Sequence, residues 1–170
     1  TRYAFVTTTT ASPSAGLTGF DSICDGESGR PPGTYRAFVG SQSMSAVSRI
    51  PPTAGIVFTR VDGWPMDRPP HLSGIMPLET TFAPTSGTLP NIPAWQGALG
   101  STVWTGMPMG PAVAPGGTAS CSGWSSMLGG NGAIGDPGTT SVGTGTEPGW
   151  AAPSTVPCGV LRRILYCVEI

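Results

Sequence analysis

The chain has 170 residues, with eight Lys+Arg, nine Asp+Glu, one His and a formal net charge of −1. That length suits one domain with a real core, and a near-neutral chain with only 10% charged residues gives no electrostatic case for nucleic acid or an anionic membrane. Its 26 Gly and 19 Pro alone suggest low complexity, but 38% hydrophobic residues and five Trp argue for a rigid, loop-rich single domain over 1–170.

Tyr3-Ala4-Phe5-Val6, followed by Thr7 to Thr10, reads as an opening strand because Thr is β-prone. Thr18 is placed to cap a helix, with Asp21 three residues on as a partial capping box. Phe20, Ile23 and Cys24 then share one helical face. Gly26 to Gly33 breaks the helix, and Thr34 to Val39 predicts a strand. Ala46 to Ile50 is one helical turn. Ile56 to Val61 is a strand closed by the turn pair Asp62-Gly63, with Trp64-Pro65-Met66 as a short return. Asp67 to Gly100 is a long proline-broken loop, of a length that is often functional. Thr102 to Thr105 and Ala119 to Ser125 read as strands joined by a Pro/Gly hairpin, and Leu128 to Pro157 shows no regular pattern. The chain closes on Ile164-Leu165-Tyr166-Cys167-Val168, an apolar run whose length and β-branched and aromatic content predict a strand buried on both sides.

Every basic residue is Arg, and the four cysteines, Cys24, Cys121, Cys158 and Cys167, form no Cys-x-x-Cys pair. Four closely set Cys/His ligands, which structural zinc requires, are absent from that spacing. The even count predicts two disulfides in an oxidising compartment, and the alternative is four buried thiols. Four cysteines allow three pairings. No secretory or membrane-spanning run is visible, and Thr1 in place of an initiator Met reads as the mark of a processed chain.

Four blocks stand in one order: Gly33-Thr34-Tyr35-Arg36-Ala37-Phe38, Val103-Trp104-Thr105-Gly106, Cys121 with Trp124 three residues on, and Leu165-Tyr166-Cys167-Val168-Glu169. This order resembles the endostatin-like domain at the C-terminus of some collagens. It is more similar to a bacterial group of secreted and lipoprotein domains of unassigned function. That group opens on a Phe-Val-Thr strand and a Gly-Leu-x-Gly-x-Asp-x-x-Cys helix, here Phe5-Val6-Thr7 and Gly16 to Cys24. The resemblance implies a compact α+β fold related to C-type lectin domains. It also implies nested disulfides, Cys24 with Cys167 and Cys121 with Cys158, each adding about 2–4 kcal/mol by restricting the unfolded chain. Three family properties do not carry over. No histidine precedes Cys24, so the endostatin zinc site is not expected. Arg162-Arg163 is the only adjacent basic pair, so heparin affinity is not expected. The lectin calcium signature is missing, with Glu147-Pro148-Gly149 a faint echo that reads as a turn.

Little here points to catalysis. A hydrolase triad needs a base in contact with a nucleophile; His71, the one imidazole, follows Arg68-Pro69-Pro70 in a loop, and no Gly-x-Ser-x-Gly elbow exists. Asp62 and Asp67 flank Trp64 in a way that suits sugar stacking, although Asp62-Gly63 is more simply a hairpin turn. Trp104 and Trp124 are expected in the core; Trp64, Trp95 and Trp150 lie near loops and are candidate contact residues, with Asp62, Asp67 and Glu147. No catalytic residue, metal ligand or cofactor is assigned. The expected function is a non-enzymatic extracellular or cell-surface module, structural or adhesive, that forms a homo-oligomer or polymer. The alternative is a lectin-like receptor that binds glycan or extracellular matrix through its long loops. Thr1 to Thr10 is the segment expected to reach a neighbour's sheet edge. Because no ligand set for zinc or calcium is intact, a chelator should leave the melting temperature unchanged; a drop of several degrees reversed by one added ion would reveal a metal site.

Overall fold

The structure, a computed structural model, describes residues 1–51, 56–67, 102–107, 119–127, 129–137, 154–159 and 162–170. Among these residues it is a mixed α+β arrangement built on one eight-stranded sheet with two helices. The strands are β1 (Arg2–Val6), β2 (Tyr35–Ala37), β3 (Phe58–Arg60), β4 (Pro65–Asp67), β5 (Val103–Trp104), β6 (Asn131–Gly135), β7 (Ser154–Pro157) and β8 (Ile164–Glu169). Their order is β4-β3-β1-β8-β5-β6-β7, with β2 also paired to β8.

The last strand organises the rest. Along one side β8 pairs antiparallel with β1, setting Ala4 opposite Val168, Phe5 opposite Cys167 and Val6 opposite Tyr166. That side continues beyond the strand, where Thr7 N donates to Leu165 O at 3.0 Å and Ala11 exchanges two backbone bonds with Arg163. Along its other side β8 pairs parallel with β5 at Ile164 and Leu165, then antiparallel with β2 from Cys167 to Glu169. Its side chains alternate. Ile164, Tyr166 and Val168 enter one core cluster with Val6, Phe38 and Phe58. Leu165 and Cys167 enter the other with Phe5, Trp104 and Trp124. A strand that packs on both faces has no room for polar alternation, which explains its unbroken apolar run.

Helix α1 (Gly16–Gly26) lies on the second face and buries Phe20 and Cys24, with Ile23 half-buried beside them. Thr18 does not cap it. The N-cap is Ala15, without a side-chain bond, and Thr18 lies inside the helix. Asp21 serves tertiary structure instead: its carboxylate accepts the Ala37 N–H at 2.9 Å and both oxygens accept Arg49 Nη2 at 2.7 Å. Arg49 ends a short 3-10 turn, Val47–Arg49, where one helical turn is expected. Just past α1, the buried Glu27 carboxylate accepts from the backbone N–H groups of Thr8 and Thr9 and from the Thr8 hydroxyl. The threonine run is therefore not strand: β1 stops at Val6, and Thr8–Thr9 turns around a carboxylate.

Three further expectations change. The segment 119–125 is not a strand. It holds α2 (Cys121–Trp124), a single left-handed turn with φ of +48° at Cys121, +56° at Ser122, +74° at Gly123 and +63° at Trp124. Residues 128–157, read as patternless, contain β6 and β7, which pair over four positions from Asn131–Pro157 to Ile134–Ser154. β1 is not free for a neighbour, because it lies between β3 and β8, and Ala4, Phe5 and Val6 are fully buried. Of the expected hairpin from Met107 to Gly117 only Met107 is within the described residues, and the loop expected to follow Asp67 lies outside them.

The structure joins Cys24 to Cys167 and Cys121 to Cys158, the two pairs that the resemblance implies. The first ties α1 to β8 across a separation of 143 residues. The blocks around Trp104, Cys121 and Trp124 meet in space. Trp104 and Trp124 pack edge to face with centroids 5.5 Å apart, and Trp124 stacks tilted on Phe20 at 5.2 Å. Two glycines make that packing possible. A Cβ at Gly106 would stand 2.3 Å from Gly40 O, and one at Gly132 would stand 2.6 Å from the Trp104 ring and 2.9 Å from Cys121 Sγ.

Burial sets the alkaline limit of this core. The chain has three tyrosines. Burial pushes the Tyr35 hydroxyl up to about 12, the Glu169 carboxylate adding to the shift, and burial carries Tyr166 well above 10 with Asp136 contributing. A phenol whose folded pKa exceeds its unfolded value binds more protons folded than unfolded, so its stabilising contribution is present below pH 10 and lost as pH rises through the folded value. Stability should fall between pH 10 and about 12 for Tyr35. Tyrosinate absorbance followed beside circular dichroism should show Tyr35 and Tyr166 ionising only as the fold is lost; full ionisation of all three with the spectrum intact would contradict this burial.

Candidate interaction surface

The β3–β4 hairpin lies at one margin of the sheet. Arg60 N donates to Trp64 O and Gly63 N to Arg60 O, each at 2.8 Å, which closes a tight turn. Gly63 supplies the φ of +94° that the turn needs, with open space around it. Beneath the turn Arg60 and Asp62 form a fork, with Nε to Oδ1 and Nη2 to Oδ2 both at 2.8 Å. Their side chains are 4% and 2% exposed. A bidentate, desolvated pair fixes the turn far more firmly than a surface ion pair would. The backbone then carries Trp64 outward, and the residue stands 61% exposed on a pre-formed tip.

Of the residues singled out from sequence as contact candidates, Trp64 is exposed. Asp62 is not, because Arg60 occupies both of its oxygens. Asp67 ends β4 opposite Phe58. Trp95, Trp150, Glu147 and His71 lie outside the described residues. Trp104 and Trp124 are buried; Trp104 Nε1 donates to Ala11 O at 3.2 Å and Trp124 Nε1 to Gly40 O at 2.7 Å. The four cysteines are all in disulfides, and among the described residues no three His, Cys, Asp or Glu gather into a metal-sized group. No helix among the described residues is long and apolar enough to cross a membrane. Two disulfides indicate maturation outside the reducing cytosol.

Several of the described charged groups turn inward, while Asp25 and Arg162 stay exposed. Asp21 holds Arg49, Asp25 lies 3.9 Å from Arg30, and Asp62 holds Arg60. Glu27 clamps Thr8 and Thr9, and Glu169 Oε2 accepts from Tyr3 N at 2.9 Å. Arg30 covers the Tyr35 ring at 4.8 Å, Arg36 donates to Arg49 O, and Arg163 covers Trp104 at 5.4 Å while bonding Thr102. Sequence reasoning missed two exposed methionines, Met44 and Met127.

No protein-family model and no curated protein matches the chain.

The fork and the exposed ring should separate cleanly. Asp62→Asn leaves the Arg60 charge buried without its carboxylate and should destabilise by about 3 kcal/mol. Trp64→Ala removes an exposed ring and should change stability by no more than about 0.5 kcal/mol. Urea unfolding of both variants checks the pair; equal losses would mean that Trp64 is part of the core.

Proposed function

We propose that the chain is a non-enzymatic extracellular module of endostatin-like fold that associates with copies of itself into a structural or adhesive assembly. The observation that carries this is a tryptophan 61% exposed on a turn braced by a buried Arg60–Asp62 pair, in a chain with only 10% charged residues. Aromatic anchors with little charge around them are what the centres of protein interfaces are made of. Packing such a surface against a neighbour desolvates few ions, so the main cost of burying charge is avoided. A chain free in solution normally carries more surface charge to keep copies apart. Two features support an endostatin-like fold: the pairs Cys24–Cys167 and Cys121–Cys158, and the meeting of the motif blocks around Trp104 and Trp124.

The manner of contact follows from the sheet margins. β4 begins with Pro65 and β7 ends with Pro157. Proline has no N–H for a ladder and blunts an edge against strand addition. Contact through side chains at the hairpin tip therefore fits better than strand addition. An exposed Trp also suits stacking on a sugar ring, but the neighbouring Asp62 carboxylate, which would fix a hydroxyl pattern, is already held by Arg60.

Sedimentation velocity over a rising concentration series tests the proposal. Growth from monomer to larger species with concentration is expected, with filaments or sheets visible by electron microscopy of native material. A single monomeric species that is retained on a glycan array would make the lectin-like receptor the better account.

A further inference from the structure

The two disulfides sit in different mechanical settings. Cys24–Cys167 joins α1 to β8, and β8 has partners on both sides, so parting it opens the centre of the sheet. Tyr166 and Val168, on either side of Cys167, are fully buried. Cys121–Cys158 instead joins α2 to the chain just past β7. β7 stands at a sheet margin and, among the described residues, pairs only with β6. Cys158 is itself 1% exposed, but little lies over it. Pro157 before it is exposed, and a Cβ at Gly159 after it would meet no described atom within 4 Å. Its N–H donates to Gly130 O at 3.1 Å, at the end of the β6–β7 pair. The other half of the bridge, Cys121, begins the left-handed turn. Cys121, Ser122 and Trp124 all have positive φ there, a conformation disfavoured for residues with a Cβ. Ser122 is exposed, so burial of its own side chain does not account for its backbone. Neither Cys24 nor Cys167 has a positive φ; they belong to a regular helix and a regular strand.

We propose that Cys121–Cys158 is a redox latch: a dithiol opens it in the folded protein while Cys24–Cys167 stays closed, and opening unwinds the left-handed turn. Strain present only in the closed form favours reduction, because opening relieves it. Access favours it too, since fraying of a marginal strand exposes Cys158 without global unfolding. One thiolate of the dithiol attacks a bridge sulfur, breaks the S–S bond and forms a mixed disulfide. The second thiol of the reductant then displaces that sulfur. Two electrons pass to the bridge, Cys121 and Cys158 end as thiols, and the reductant ends as a disulfide. The structural consequence runs through Trp124. Its indole bonds Gly40 O at 2.7 Å, and its ring packs on Phe20 of α1 and Trp104 of β5. When residues 121–123 relax, that bond and that ring packing are lost, so the redox state of the surroundings is read out in the packing around α1. The latch is independent of self-association.

Redox titration of the full chain tests the latch. Samples equilibrated with a dithiothreitol series are quenched in acid, alkylated and mapped by peptide mass. Cys121 and Cys158 are labelled first, and their equilibrium lies at least about tenfold further toward the dithiol than that of Cys24–Cys167, about 30 mV for a two-electron couple. Far-ultraviolet circular dichroism stays unchanged across that first step, while the near-ultraviolet tryptophan bands change and return on reoxidation. Ser122→Gly keeps all four cysteines and accepts the positive φ without penalty, so it shifts the Cys121–Cys158 equilibrium back toward the disulfide by about threefold or more. Opening of both bridges together with loss of the fold overturns the latch, as does opening of Cys24–Cys167 first. Selective opening that leaves the tryptophan bands unchanged overturns the unwinding of the turn. A Ser122→Gly equilibrium equal to that of the parent overturns strain as its cause.

Discussion

The two-sided pairing of β8 is the constraint on which the rest of this structure depends. Its backbone is bonded to β1 on one side and to β5 and β2 on the other. Its side chains supply both hydrophobic clusters, and through Cys167 it is covalently tied to α1. A short strand that gathers partners from residues 4, 37 and 103 brings together segments far apart in sequence. Closing such loops is entropically costly, and the Cys24–Cys167 bridge lowers that cost by limiting the unfolded chain. Because the sheet forms around its end strand, the opening strand is enclosed as well, and it cannot also serve as an arm for a neighbour.

The polar groups obey the same economy. Few charges exist, and most of those described perform internal work: Asp21 joins α1 to the 3-10 turn, Glu27 holds the Thr8–Thr9 turn, and Asp62 braces the hairpin. The left-handed α2 turn is the costliest local feature. Three non-glycine residues at positive φ cost about 1–2 kcal/mol each. The Cys121–Cys158 bridge, the Trp124 indole bond and the Ser120 side-chain cap hold it in place. What remains on the described surface is mainly short polar residues, with Asp25, Arg162 and a few apolar side chains among them. The proposed self-association rests on that low charge.

Some of this was legible in the sequence and some was not, for identifiable reasons. The buried end strand, the α1 face of Phe20 and Cys24, and the Asp62-Gly63 hairpin follow from hydrophobic period and turn chemistry, and all are present. Ala119 to Ser125 misleads because its residues are β-prone or neutral, and nothing local announces a left-handed turn outside glycine; tertiary packing of Trp124 imposes it. β6 and β7 are hidden because Asn131-Gly132-Ala133-Ile134-Gly135 has little side-chain pattern. Its glycine at 132 is required by Trp104 and Cys121 lying against it, a contact from elsewhere in the chain. Asp21 looks like a capping residue because a short acid near a helix start usually is one; its use by Arg49 depends on a segment 28 residues away. At the surface, the exposure of Trp64 was legible from its place beside a turn, whereas the loss of Asp62 to Arg60 needed the side-chain geometry.

Native-state hydrogen exchange resolved to single amides tests the organising role of β8 most directly. The amides of Leu165, Tyr166, Cys167 and Val168 should be among the slowest in the chain, exchanging only with global unfolding and together with those of Phe5 and Val6. The Gly63 amide at the hairpin turn should exchange earlier, through local opening. Exchange of the β8 amides by local fraying, while β3 or α1 stayed protected, would show that the fold is held from elsewhere and would contradict this account.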